Sequence, residues 1–221
     1  RVAWRSFNAP LNQPGSHWVC TKEYEVERLL TLMGEEAVLV KASAPGKCIL
    51  FGEHAVVYGQ PAVAVAIEQR LRVSISKATS WSVDGSALDE KKHPHVAMLK
   101  ETWLPDSEPM AVHVSGDIPS ASGLGSSAAL SAAAGAAMHR LVHPDLPLDG
   151  DRLSEIAHLA EARAQEGRAS PMDASTSVEG GVVVLSDKRE DIGKWLYTRR
   201  LSTPEGERTW EVHGLTPPDE E

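Results

Sequence analysis

An α+β fold is what this sequence predicts, on three observations. Leu71, Val73 and Ile75 are interleaved with Arg72, Ser74 and Ser76, and Met110–Ser115 alternates in the same way, the period-2 mark of half-buried strands. Two stretches of helical length, Ser126–Val142 and Leu153–Ala164, stand apart from them. Strands and helices interleave without the regular spacing of βαβ units, which argues against a doubly wound sheet.

The elements follow in order from Ala37. Ala37–Ser43 and Cys48–Phe51 read as short strands joined by a turn at Ala44-Pro45-Gly46. Ala62–Ile67 is a continuous small-apolar run, and the alternating strand around Leu71 comes next. Residues 79–92 are polar and read as a loop, and His95–Trp103 reads as a helix. The loop Gly116–Gly125 opens directly into the Ala-rich helix Ser126–Val142, which Pro144, Pro147 and Gly150 end. After Leu153–Ala164 a loop runs to Ser170, and Gly181–Leu185 is a strand. There is no internal repeat and no low-complexity tract.

The two ends read differently. Residues 1–32 are rich in Trp, Pro and Asn without a steady period, and are read as upstream sequence or a tag, with Met33 as the natural start. A native peptide containing Trp18 would overturn that reading. Thr209–Glu221 reads as a strand running into a turn rather than the end of a domain, so the chain is expected to be a fragment.

Composition narrows the function classes. The chain has 221 residues, with 22 Lys+Arg against 31 Asp+Glu and a net charge of −9. That balance, with a pI near 5.5, speaks against a broad basic surface for nucleic acid or anionic lipid. Apolar runs such as Ala62–Ile67 fall far short of the roughly 20 residues a membrane span needs. Cys20 and Cys48 are too few for a disulfide framework or a zinc cage. The expectation is a cytoplasmic protein with no nucleic-acid or membrane partner.

Three segments carry candidate chemistry. The first is Pro119-Ser120-Ala121-Ser122-Gly123-Leu124-Gly125-Ser126-Ser127-Ala128-Ala129. Its glycines allow a tight turn with converging N–H groups, and Ser126 and Ser127 stand where a helix starts, whose free amides and dipole favour a phosphate. A serine N-cap on an ordinary buried helix is the plainer alternative. The spelling G-x-G-x-x-A fits a dinucleotide fingerprint, but Asp117-Ile118-Pro119 intervenes before it, and Asp145 and Asp149 lie in a Pro-rich loop. Gly46-Lys47 is followed by Cys48 and has Lys41 where a Walker A loop wants its first glycine; no G-x-S-x-G elbow occurs. Phosphate binding is the reading that survives.

The second segment runs from Lys41 to Gly59 and holds Lys47 after a Pro-Gly turn, with Glu53 and His54 after Gly52. A cation, a carboxylate and an imidazole on turns can orient a small polar substrate and stabilise a transferring phosphoryl group; each is otherwise a solvated turn residue. The third runs from Glu161 to Gly181. In Ser170-Pro171-Met172-Asp173 the local pattern is that of a helix start with Ser as N-cap, Pro at N1 and the acid at N3. The functional reading makes Asp173 a base for a hydroxyl proton, with Glu161 on the preceding helix available to hold a cation. His139 and His143 form an i,i+4 pair, but Arg140 stands where a zinc motif wants Glu, so a helix end carrying histidines is the better account.

Together these segments resemble the GHMP kinase superfamily, and within it the mevalonate kinase branch. Ala44-Pro45-Gly46-Lys47 with Gly52-Glu53-His54-Ala55-Val56-Val57-Tyr58-Gly59 is similar to that branch's opening motif, and Pro119–Ala129 to the family's ATP phosphate loop. Gln165–Gly181, with its Ala169-Ser170-Pro171-Met172-Asp173, is similar to the third segment of the archaeal-type enzymes. The resemblance covers about residues 41–185. It implies a ribosomal-protein-S5-like ATP-binding domain, placed here at residues 37–178 after an extra segment 1–36. A ferredoxin-like domain would follow, of which 179–221 is the start and most is missing. It implies phosphorylation of the primary hydroxyl of mevalonate by ATP with Mg2+, and allows a homodimer. Asp173 would be the base and Lys47 would lower its pKa and steady the phosphoryl group. Ser127 would coordinate magnesium, and Glu53 and His54 would shape the substrate site with Lys47 and Asp173.

Two departures stand out. Counted back from Asp173, the family's magnesium-binding Glu falls at Ala162, one residue from Glu161; an extra residue before Gly167 accounts for the shift, and Glu166 is the other candidate. The family's late glycine-rich motif is absent, and the chain alone is expected to be inactive or poorly folded. Rival readings are a kinase for phosphomevalonate, homoserine or a sugar, and a non-catalytic binding protein of the same fold. Tyr58-Gly59-Gln60-Pro61 leans towards mevalonate, and the presence of Lys47, Ser127 and Asp173 speaks against loss of catalysis.

Overall fold

A computed structural model describes residues 25–27, 38–53, 60–119 and 122–215. Nine strands and four helices follow in order: β1 (Glu25–Glu27), β2 (Val38–Phe51), β3 (Ala62–Lys77), β4 (Ser82–Val83), β5 (Ser86–Ala87), α1 (Pro94–Trp103), β6 (Met110–Gly116), α2 (Ser126–Val142), α3 (Gly150–Ala164), α4 (Met172–Glu179), β7 (Val182–Ser186), β8 (Lys194–Thr203) and β9 (Gly206–Leu215). Their arrangement is the α+β one that the irregular spacing predicts.

The sheet is organised around β3. Its C-terminal half, Leu71–Lys77, pairs with β6, and its N-terminal end, Ala62–Val65, pairs with β7. Along its other edge runs β2, which also carries β1. Beyond β7 the order continues through β9 to β8, and beyond β6 through β4 to β5. All pairings are antiparallel except β4 with β6.

The alternation read in the sequence sets which face is covered. Val40, Ala42 and Ala44 on β2 and Leu71, Val73 and Ile75 on β3 join one core with residues of all four helices. Ile75, Leu99, Met138, Leu153 and Ile156 are fully buried there, each contributing roughly 1.5–3 kcal/mol. The alanines of α2 let it lie between the sheet and the outer helices: a Cβ added at Gly135 would stand 2.9 Å from Leu153 Cδ1 and 3.4 Å from Leu99 Cδ2. A helix apolar all round is a buried helix. A second cluster gathers Ala62, Ala64, Met172, Val183, Leu185, Tyr197 and Val212.

Four local expectations are corrected. Ala44-Pro45-Gly46 is no turn between two strands, because β2 runs unbroken through it. The irregularity lies in the pairing: Pro45 faces Arg70 and Lys47 faces Ala66, so two steps along β2 match four along β3, and the three residues Ile67–Gln69 stand opposite Gly46 alone in a bulge. The two apolar runs around that bulge accordingly form one strand, β3. Within residues 79–92 there is a miniature hairpin, β4–β5, turning at Asp84-Gly85, a two-residue Asp-Gly signal of the usual kind. Finally, α4 starts at Met172 with Pro171 as its N-cap and no side-chain capping bond, so the capping box expected from Ser170 does not form.

Candidate active site

Lys47 sits at the bulge between β2 and β3, 5% exposed, and its Nζ lies 3.1 Å from Asp173 Oδ2 in the first turn of α4. The glycine–serine loop crosses directly over it. Lys47 N–H donates to Leu124 O at 2.9 Å. Gly46 and Gly125 permit that approach: a Cβ on Gly46 would meet Leu124 O at 2.7 Å, and one on Gly125 would meet Lys47 Cγ at 2.8 Å. Gly125 is also the N-cap of α2 in the left-handed region, φ 73°, with no side-chain cap and no acid in the first turn. The serine N-cap of the plainer alternative is thus not what forms. The first-turn amides of α2 have no side-chain cap and favour an anion.

The remaining loop residues divide by burial. Pro119, Ser122 and Gly123 are exposed, and Ser122 Oγ donates to Pro119 O at 2.7 Å. Ala128 and Ala129 point into the core, and the Ala129 amide is taken by Gly125 O. Ser120, Ala121 and His54 lie outside the described residues.

In the first turn of α2 the second group of polar side chains begins. Ser127 Oγ donates to Glu161 Oε2 at 2.8 Å, and Ser131 Oγ lies 3.2 Å from Glu161 Oε1. Gln165 Nε2 donates to Oε2 at 3.3 Å. His95 Nε2 stands 3.1 Å from Oε1; it is off the ideal hydrogen-bond line, yet buried with no other hydrogen-bond partner among the described residues. Glu161 itself is 3% exposed. Burial pushes its carboxyl up, but the bond and charge of His95 and the hydroxyls of Ser127 and Ser131 outweigh that and hold it below the ordinary value. Glu166 is elsewhere: α3 ends at Gln165, Glu166 takes a positive φ of 53°, and its 88% exposed side chain pairs with Arg168. Of the two glutamates, Glu161 meets Ser127.

Asp173 is tuned the other way. Burial raises its pKa, Lys47 pulls it down by charge and hydrogen bond, and the nearby charges of Glu161 and Glu53 push it up, with a net rise. A carboxylate made more basic beside a fixed ammonium is suited to take a proton from a hydroxyl. Glu53 itself is exposed on the turn after β2. Lys47, Asp173, Ser127, Glu161 and the N-terminus of α2 are thus gathered by β2, α2, α3 and α4. His95, Ser131 and Gln165 escaped the sequence reading. Ser131 and Gln165 lie one helical turn after Ser127 and Glu161, a spacing that could have found them; nothing local marks His95. His139 and His143 stack with each other, centroids 5.0 Å apart, and edge-on against Trp103. Among the described residues no three or more His, Cys, Asp or Glu cluster as metal ligands.

Comparison with known proteins bears on the family and the fold. Residues 92–181 match the family described as GHMP kinases N terminal domain, and this stretch of the chain belongs to that family. The relatives it resembles bear the name of one member. It is 39% identical over 158 residues to a mevalonate kinase of Archaeoglobus fulgidus, covering 67% of this chain and 54% of the relative. It is 40% identical over 157 residues to one of Methanothermobacter thermautotrophicus, covering 67% and 50%. The fold matches the crystal structure of the Methanococcus jannaschii mevalonate kinase with a TM-score of 0.55 at 25% identity, over 73% of this chain and 57% of that one. The chain therefore spans about half the length of the curated relatives it matches.

Proposed function

We propose that this protein transfers the γ-phosphoryl group of ATP to the primary hydroxyl of mevalonate, giving 5-phosphomevalonate and ADP. The observation that carries the reading is the Lys47–Asp173 pair, 3.1 Å apart, with the glycine loop and the N-terminus of α2 directly above Lys47. Residues Pro119–Ala129 would cradle the phosphates, chiefly through backbone N–H groups. Asp173 accepts the hydroxyl proton as that oxygen bonds to the γ-phosphorus and the bond to the β-phosphate oxygen breaks. Lys47 stabilises the charge on the transferring group, and phosphoryl transfer asks little else of a protein than such positioning and electrostatics. Glu53 and His54, with Lys47 and Asp173, would shape the acceptor site. The division into an ATP-binding unit at residues 37–178 and the start of a second one at 179–221 belongs to the same proposal.

The donor set fits Mg2+. Ser127 and Glu161 offer a hydroxyl and a carboxylate oxygen at the mouth of a phosphate-binding helix, and Mg2+ bound with a nucleotide commonly takes one or two protein oxygens, the phosphates and water. These two residues would hold it, and when bound it neutralises charge on the phosphates.

Measuring ADP release by the full-length protein with mevalonate, phosphomevalonate, homoserine and galactose tests the reading. Release with mevalonate alone is expected, and Asp173→Asn should lower turnover by about 10²–10⁴-fold while sparing ATP binding. Near-wild-type turnover in that variant would remove Asp173 from its role, and release with another acceptor would change the substrate.

A further inference from the structure

The Glu161 carboxylate is held from several elements. Ser127 and Ser131 come from α2 and Gln165 from the residue that ends α3, whereas His95 comes from the first turn of α1. The contacts divide between the two oxygens: His95 and Ser131 face Oε1, Ser127 and Gln165 face Oε2. Pro94 at the first helical position sets the backbone just before His95, and the His95 side chain is only 17% exposed. Two other buried histidines serve the main chain instead: His158 Nε2 bonds Ala169 O, and His213 Nε2 accepts from the Glu190 N–H.

A carboxylate can turn about its last carbon–carbon bond, and such a turn would move Oε2 away from Ser127. We infer that His95 is a positioning residue for Glu161: by holding Oε1 it keeps Oε2 beside the Ser127 hydroxyl, at the end of α2 where the metal of a metal–nucleotide complex would bind. The inference rests on the metal-holding role proposed for Ser127 and Glu161. Without His95, Oε1 keeps one neutral donor, Ser131, at 3.2 Å. Groups that orient a metal ligand from behind act on metal affinity and leave contacts with the rest of the nucleotide alone.

The test is Mn2+ binding, standing in for Mg2+ and followed by electron paramagnetic resonance, in the ADP complex of the full-length protein. His95→Ala should weaken Mn2+ by about 10-fold or more, within the range for outer groups around a metal ligand, and leave metal-free ADP binding unchanged. His95→Gln, whose amide reaches about as far as Nε2, should recover most of the loss. His95→Asn keeps much of the volume but stops short of Oε1; it should behave like the alanine variant and decides the matter if that variant folds poorly. Glu161→Gln separates the two layers of reasoning. Loss of Mn2+ in Glu161→Gln but not in His95→Ala or His95→Asn overturns the positioning role and keeps the metal role. Equal weakness of the Gln and Asn variants at position 95 shows packing alone and overturns it as well. Unchanged Mn2+ binding in Glu161→Gln removes the metal role, and the inference falls with it.

Discussion

Adding one methyl group at either of two glycines of the glycine–serine loop should have different effects, although their backbones are alike. Gly123 and Gly125 have φ of 75° and 73°. A side chain in that region costs about 1–2 kcal/mol, and at Gly123 that is the whole cost, since a Cβ there meets nothing within 4 Å. At Gly125 the Cβ would stand 2.8 Å from Lys47 Cγ and 3.1 Å from Lys47 Cε. Lys47 cannot step aside freely, because its backbone is tied to Leu124 and its ammonium to Asp173. Forcing an extra carbon into such a place costs a further ~1–3 kcal/mol. Urea titration of Gly123→Ala, Gly125→Ala and the wild type should therefore give a loss of about 1–2 kcal/mol for the first and roughly 2–5 kcal/mol for the second. In a Lys47→Ala background the excess at Gly125 should vanish, leaving the backbone cost alone. Equal losses at the two glycines, or an excess that survives removal of the Lys47 side chain, would refute the idea that the loop is seated on Lys47.

Two further outcomes are expected. Tyr197→Phe removes the hydroxyl that donates to Ser154 Oγ at 2.9 Å in a buried chain reaching Ser175. It should cost about 0.5–1.5 kcal/mol in urea titration; no loss would mean that the chain adds nothing to stability. Burial first, and the charge of Arg199, hold His158 below its ordinary 6.5 against the opposing pull of Ala169 O and Glu161. The folded state therefore favours the neutral ring, so its contribution is complete above about pH 6.5 and is lost as the pH falls towards the lowered value. Replacing His158 by Gln, which can still reach Ala169 O, should flatten the fall in unfolding free energy between about pH 7.5 and about pH 5.5. Only part of the slope should disappear, because His139 is shifted in the same direction. An unchanged slope would rule His158 out as a source.

The parts of the fold that were legible are those in which one face repels water. The alternation at Leu71–Ser76 marks β3, the glycine before Ser126 marks where α2 begins, and the alanines mark α2 as a buried helix; the structure has all three. What was missed depends on partners distant in the chain. Pro45-Gly46 has turn chemistry, but β3 lies alongside with bulged register, and pairing on that strand overrides the local preference. Strand β8 carries Arg199 and Arg200 among its apolar residues, and its ladder comes from β9, so its own sequence announces little.

The site divides along the same line, and the division explains why His95 was invisible. Lys47, Ser127 and Asp173 are each read from neighbours in sequence, because bending a backbone to meet a phosphate needs glycine and proline at fixed offsets. Which glutamate joins Ser127 could not be settled by counting, since one extra residue near Gly167 shifts the frame. The structure resolves it by where α3 ends: Glu161 lies within the helix facing α2, and Glu166 lies past its last turn in the left-handed region. His95 has no such frame. Between it and Glu161 lie α1, β6, α2 and most of α3, and the two meet because α1 and α3 pack on the same small-residue helix. The alanines of α2 therefore do two things. They seat α2 on the sheet with Ser127 in its uncapped first turn, and they let α1 approach closely enough for a histidine to reach the carboxylate that Ser127 shares.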